Sequence, residues 1–272
     1  MLHEFFILLA AAFGFAVAMM VVIYVISRRI HNAGIVDIAW SAGFAPVAGL
    51  YALLAHGHAP RRVLIATMAA LWSLRLGCYL YFRVMGHHPV EDRRYKELRT
   101  EWGANANSRM FWFFQLQATL LVVLSAPFLL ACLNASPEIK LVEWLGAGVW
   151  LIAVVGESLA DFQLKQFKAD HANQGHVCQA GLWNYSRHPN YFFEWLVWVA
   201  FFLFALGSPW GWATIYCPAL MLFFLLKVTG IPMTEELAVK NKGEAYREYQ
   251  RTTSAFVPWF KQPATTAPIH HD

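Results

Sequence analysis

The sequence predicts an all-α, polytopic integral membrane protein, and three observations carry that prediction. The first is composition. Of 272 residues, 58% are hydrophobic and only 14% are charged, against about a quarter charged and roughly 45–50% apolar in an ordinary soluble domain. With 12 Trp, 21 Phe and 10 Tyr, the excess is aromatic as well as aliphatic. One soluble core could not hide that much apolar surface, whereas lipid can. The second observation is seven apolar stretches near the length of about 20 residues that a membrane-crossing helix needs: 5–26, 35–55, 63–84, 110–133, 141–161, 190–206 and 209–231. The opening Met1-Leu2-His3-Glu4 lacks the basic start of a signal peptide, so the first stretch reads as a retained span.

The third observation is where the basic residues fall. With seven spans, one side of the membrane receives 27–34, 85–109, 162–189 and the tail from 232, which together hold fifteen Lys and Arg. The other side holds Arg61, Arg62 and Lys140. Cytoplasmic segments carry the excess of Lys and Arg, which places the N-terminus outside and the C-terminus inside. The net charge of +4 says less than this distribution. No linker or repeat interrupts the chain, so residues 1–262 read as a single membrane-embedded domain and 263–272 as a disordered Pro/Thr/Ala-rich tail.

An ionisable group at membrane depth is costly and marks a bundle interior or a wet cavity. Those residues are Asp37, Arg75, Glu143, Glu157, Asp161, Glu194 and Lys227. Glu157, Asp161, Lys165 and Lys168 fall at helical spacing on one face, acidic first and basic towards the cytoplasm. A run of ion pairs at a wet helix end accounts equally well for Lys165 and Lys168, but not for the deeper acids. Arg75, Tyr79 and Arg83 share a face of the third span, where Arg83 can snorkel to the headgroups.

The strongest local feature runs from Gly181 to Glu194 and contains Ser186-Arg187-His188-Pro189-Asn190-Tyr191. Pro189 suits a first helical turn, with Ser186 or His188 near the cap. The free N–H groups of that turn, its dipole and Arg187 form an arrangement favourable to phosphate. Asn190 and Glu194 follow one turn apart. Two further cytoplasmic segments are candidates: Glu91-Asp92-Arg93-Arg94-Tyr95-Lys96, and the tail from Glu235 through Tyr249 to Pro258. Trp259 and Phe260 read as interfacial anchors. The sequence has no dinucleotide-binding glycine motif, P-loop, serine-hydrolase elbow or metal motif, and Cys78, Cys132, Cys178 and Cys217 show no paired spacing. Any nucleotide cofactor must be held by the helix bundle and its loops.

The segment from Leu182 to Glu194, the Glu157…Asp161…Lys165…Lys168 face and the tail from Glu235 to Pro258 resemble the membrane reductases of the steroid 5-alpha-reductase family, bacterial members above all. The resemblance implies NADPH-dependent reduction of a carbon–carbon double bond conjugated to a ketone, as in a 3-oxo-4-ene steroid. It also implies a lipophilic substrate entering from the bilayer and a cofactor pocket open to the cytoplasm of a bacterial inner-membrane protein. Carried over residue by residue, Asn190 and Glu194 hold the nicotinamide carboxamide, while Asp161, Lys168, Arg93 and Arg94 contact the adenosine and phosphates. Glu157, Lys165, Tyr95, Arg187, His188, Tyr191 and Glu235 complete the cofactor set. Mammalian members hold the substrate ketone with a Gln-Glu pair that this chain lacks; Asp37, kept protonated by apolar surroundings, and Trp40 stand in its place. The family's substrate tyrosine maps to Tyr79 or Tyr81, and the shared face with Arg75 favours Tyr79. A monomer without a nucleic-acid partner is expected. Isoprenylcysteine and phospholipid methyltransferases share the Arg-His-Pro-x-Tyr element, which keeps an S-adenosylmethionine-dependent methyl transfer as the alternative. A thiol-reactive reagent applied to intact cells tests the topology: a cysteine placed at 97 or 171 is expected to stay unlabelled, and labelling of either overturns it.

Overall fold

Hydrocarbon offers no partner to a backbone N–H or C=O, so a spanning segment must close its hydrogen bonds internally. The computed structural model describes residues 2–86, 88–228 and 230–263, and among the described residues it is helical throughout, with no strand. The expected tail beyond Pro263 lies outside the described residues. Among the described residues, six stretches are long and apolar enough to cross a membrane: Leu2–Ile30, Ile35–Leu54, Ala59–Met85, Arg93–Leu133, Leu141–Ala169 and Gly211–Lys242. The stretch expected at 190–206 is the shorter apolar helix Pro189–Ala205, whose 17 residues reach about 25 Å at 1.5 Å each.

The helices are α1 (Leu2–Ile30), α2 (Ile35–Leu54), α3 (Ala59–Met85), α4 (Arg93–Trp102), α5 (Ala106–Leu124), α6 (Ala126–Leu133), α7 (Leu141–Ala169), α8 (Pro189–Ala205), α9 (Tyr216–Phe223), α10 (Ile231–Lys242) and α11 (Glu244–Thr252). The chain forms two compact units, Met1–Trp144 with Leu203–Thr214, and Leu145–Phe202 with Ile215–Asp272. Their boundaries fall inside α7 and α8, which is why no linker composition marks them.

In the first unit, small residues bring α2 close to its neighbours. A Cβ on Gly43 would lie 2.6 Å from Leu121 and 2.8 Å from Met19, and one on Gly77 would lie 3.0 Å from Ala42. Pro46 opens α2, and the Ser73 hydroxyl of α3 repairs it. That hydroxyl accepts from the Ala45 N–H at 3.0 Å and donates to the Ser41 carbonyl at 2.6 Å, standing in for the helical bond between them. The fourth span is interrupted at Ser125, where Pro127 begins α6.

The anchor of this unit is an ion pair at the start of α3 and α7. Sequence reading places Arg61 in a solvated loop; the structure instead buries Arg61 and Glu143 completely. The Arg61 Nε donates to Glu143 Oε1 at 2.5 Å and one Nη donates to Oε2 at 3.2 Å. The remaining donors go to the carbonyls of Asn134 (3.1 Å), Ser136 (2.6 Å) and Glu138. One guanidinium thereby closes the loop between α6 and α7. Glu143 also caps the Lys140 N–H at 2.7 Å, and Gly207 leaves the space its side chain occupies, since a Cβ there would lie 2.3 Å from it.

In the second unit, Gly156 lets α8 approach α7, because a Cβ would lie 2.4 Å from the Phe193 ring. The segment after α7 folds back on it: Trp183 donates to the Ala160 carbonyl at 2.9 Å and Gln163 accepts from the Leu182 N–H at 2.9 Å. Gly181 has φ +57 and abuts Gln163, so no side chain fits there. The C-terminal strap then pairs with residues 185–187, through Arg187 N–H to Ser254 O at 2.8 Å and Trp259 N–H to Tyr185 O at 2.9 Å. Phe256 plugs it against Leu225, Ile231, Phe192 and Trp195.

Removing one partner of a buried pair costs about 3–5 kcal/mol. Arg61→Met is therefore expected to lower the melting temperature in detergent by roughly 6–20 °C, at about 2–4 °C per kcal/mol for a chain of this size. Arg61→Met with Glu143→Leu recovers only part of that, since three carbonyls stay orphaned. Melting of the single variant within about 1 °C of wild type overturns this account.

Candidate functional site

Each unit carries its own polar cluster. In the first, α4 is held against the first turn of α2. Asp92 caps α4 through the Arg94 N–H at 3.0 Å, which points Arg94 and Tyr95 at Asp37. Arg94 donates to Asp37 Oδ2 at 2.8 Å and Tyr95 donates its hydroxyl to Oδ1 at 2.7 Å. Glu91, buried, accepts from the Ala33 N–H at 2.7 Å and from Arg99 at 3.1 Å, fixing the α1–α2 turn. Arg93 points the other way, exposed and paired with Glu97.

This geometry corrects the role expected of Asp37. Both carboxylate oxygens accept, one from the Arg94 guanidinium and one from the Tyr95 hydroxyl, so both are taken up within the protein and neither is left to meet a ketone. The same bonds occupy Arg94 and Tyr95 inside the protein, where the sequence reading has them contacting a cofactor. Trp40, one turn beyond Asp37, sits edge-on to Phe44 at 5.0 Å, and its buried indole N–H has no protein acceptor. On α3, the shared face of Arg75 and Tyr79 holds: the guanidinium carbon lies 5.9 Å from the Tyr79 ring. Tyr79 is half-buried while Tyr81 is exposed.

In the second unit the acidic-to-basic face of α7 is realised as burial. Glu157 and Asp161 are buried, while Lys165 and Lys168 are exposed two turns further on. Opposite them on α8, Asn190 donates to Asp161 at 3.3 Å. Glu194, buried one turn on, accepts from the Trp198 indole at 3.1 Å. The structure therefore brings Asp161 and Asn190 together and seals Glu194 on the same helix face as Asn190.

The Arg187–Tyr191 element is used differently from the phosphate site that its sequence suggests. Ser186 accepts from the His188 N–H at 3.1 Å and donates to the Phe256 carbonyl at 2.8 Å. Arg187 donates to Glu235 at 2.6 Å and to the carbonyls of Gln250 (2.9 Å) and Thr253 (2.5 Å). His188 stacks on Tyr191 at 5.3 Å and meets Glu235 at 3.2 Å. The side chains Arg187, His188, Tyr191 and Glu235 thus form a clamp that ties α10 and the strap to the start of α8. Gln250 adds a third contact, donating its amide N–H to the Glu235 carboxylate at 2.8 Å.

Two groups of this structure escape a sequence reading. Arg61 looks like a positive loop residue until its partner is known, although an acid at 143 in a span start signals that some base must meet it. Gln115, mid-helix in α5, has both amide atoms buried with no protein partner, and a single amide in an apolar run gives little sign of that.

Fold and clusters together define a helical integral membrane protein with a buried or half-buried polar cluster in each unit. The chain belongs to the family described as protein of unknown function DUF1295, whose model matches residues 23–253. It is also similar to "Uncharacterized protein C594.04c" of Schizosaccharomyces pombe (strain 972 / ATCC 24843), at 28% identity over 237 residues. That match covers 75% of this chain and 66% of the relative, so the chain spans just under two thirds of the relative's length. No solved structure matches the chain.

Glu235→Gln removes the carboxylate that meets Arg187, His188 and Gln250, so the detergent-solubilised variant is expected to melt below wild type; an unchanged melting temperature argues against the clamp.

Proposed function

We propose that this protein reduces a carbon–carbon double bond conjugated to a ketone, using NADPH, on a lipophilic molecule such as a 3-oxo-4-ene steroid. The observation that carries the reading is the buried acid–amide set of the second unit, Asp161, Asn190 and Glu194. A nicotinamide carboxamide offers two N–H donors and one acceptor, and carboxylates beside an amide are its chemical complement. The residues present fit that group: Asn190 and Glu194 would hold the carboxamide, with Asp161 orienting Asn190. Lys165 and Lys168, exposed at the end of the same α7 face, are suited to the phosphates. Bound NADPH supplies a hydride.

Membership of a family that includes steroid 5-alpha-reductase-like proteins supports the reading. The skew of Lys and Arg supports a seven-span topology with the N-terminus outside and this cluster facing the cytoplasm; the bacterial inner membrane is carried by the family resemblance. Hydride addition to an enone leaves negative charge on the ketone oxygen. A donor there lowers the barrier only if it binds the developing enolate better than the ketone. With Asp37 committed to Arg94 and Tyr95, the candidate donor is the Tyr79 hydroxyl.

Thermal stabilisation of the purified protein separates this from methyl transfer. NADPH is expected to raise the melting temperature and S-adenosylmethionine to leave it unchanged; the reverse pattern overturns the assignment. Glu194→Gln should keep the fold, because the Trp198 indole can still donate to the amide oxygen, yet weaken the NADPH shift by removing a charged acceptor. In a product assay with NADPH and a 3-oxo-4-ene steroid, Tyr79→Phe should cut turnover by about 10², the scale of one lost oxyanion donor.

A further inference from the structure

The first unit carries a lateral groove of about 540 Å³ between α1 and α5. Phe13, Val17 and Val21 form one wall, spaced four apart on a single stripe of α1. Leu116 and Trp112 form the other, with Gln115 and Thr119 between them and the floor. Most apolar surface on a membrane helix needs only lipid tails. This groove differs because of Gln115, whose Oε1 and Nε2 are both sealed from solvent with no hydrogen-bond partner in the protein. Thr119 does not relieve it, since that hydroxyl donates to the Gln115 backbone carbonyl at 3.0 Å.

A carboxamide presents two donors and two acceptor positions, and each buried one left unmade costs on the order of 1–3 kcal/mol. An unsatisfied amide beside an apolar groove is satisfied most simply when the side chain rotates towards a group that both accepts and donates. A hydroxyl does both. The groove volume lies within the roughly 300–1,000 Å³ of sites that enclose one drug-sized molecule. Gln115 sits five residues inside the apolar stretch that begins at 110, about 7.5 Å along the helix, a depth at which the hydroxyl of a single-bodied alcohol can meet it. Two acyl chains are too large for the groove.

We propose that the α1–α5 groove binds a single membrane-soluble alcohol, with a compact or branched hydrocarbon body between the two helices and its hydroxyl on the Gln115 amide. The site stands independently of the reductase reading, because it uses no residue of either polar cluster.

The test uses the full chain reconstituted into phosphatidylcholine vesicles, a photoreactive diterpene alcohol and the matching hydrocarbon without the hydroxyl. The alcohol is expected to label peptides of α1 or α5 about 5–10-fold more strongly than the hydrocarbon, the yield of roughly one hydrogen bond. Gln115→Leu should bring the alcohol down to the hydrocarbon level without lowering the melting temperature, since it removes an unsatisfied amide. Val17→Trp, which fills the groove, should abolish labelling by both probes. Equal labelling of wild type by the two probes, an alcohol preference that survives Gln115→Leu, or labelling that survives Val17→Trp each overturns the proposal. A Gln115→Leu variant that changes only the oligomeric state also overturns it and puts a second copy of the chain on this face. NADPH-dependent turnover, measured on the same vesicles, reports separately on the reductase reading.

Discussion

An ionised side chain removed from water must find a counter-charge and fill its hydrogen-bonding positions, or it does not stay ionised. Arg61 meets that constraint most completely: its bonds to Glu143 and to three loop carbonyls fix where α3 and α7 begin. The Asp37–Arg94 pair docks α4 on α2 in the same way. In the second unit Glu235 and Arg187 hold the last helices and the strap against the start of α8. Each network joins segments that are far apart in sequence, and each is built around a single guanidinium fork: those of Arg61 and Arg187 satisfy a carboxylate and several carbonyls at once, and that of Arg94 bridges two carboxylates.

A division of labour follows. The guanidiniums at 61 and 187 are engaged with carboxylates and backbone of their own unit, and that at 94 with two carboxylates of its own unit, which makes them architectural. The acids of α7 and α8 are bonded differently, Asp161 by the Asn190 amide and Glu194 by the Trp198 indole. The proposed carboxamide site falls on Asn190 and Glu194 and not on the conspicuous Arg187-His188-Pro189 element, because the side chains of that element are taken up by the clamp.

Much of the helical layout is legible in the chain itself. Apolar runs of membrane length have no alternative to the helix, so the positions of α1, α2 and α3 and the start of α7 follow from hydropathy to within a few residues, while α7 runs on eight residues past the apolar stretch. Side chains sharing a helix face follow from spacing alone, as Arg75 with Tyr79 and Glu157 with Asp161. Spacing cannot reveal a partner on another segment. Arg61 therefore counts as a loop charge until Glu143 is seen beside it, and Arg187 passes for a phosphate ligand until Glu235 claims it. The break in the fourth span is marked by Pro127, while the Ser73 repair of α2 has no local signal because the hydroxyl belongs to a different helix.

By itself, then, the sequence determined that this is an all-helical membrane protein, which stretches are apolar enough to cross, and which ionisable residues lie too deep to be accidental. Those properties depend on transfer free energies and a 3.6-residue period, both of which act along the chain. The tertiary structure alone decided which charges neutralise one another, that Asp37 accepts where a donor was expected, that Gln115 lies sealed and unsatisfied, and that the chain gathers into two units whose boundaries run through helices. Those outcomes depend on distances between residues tens of positions apart, and a Coulomb or hydrogen-bond energy is set by that distance and not by separation in sequence.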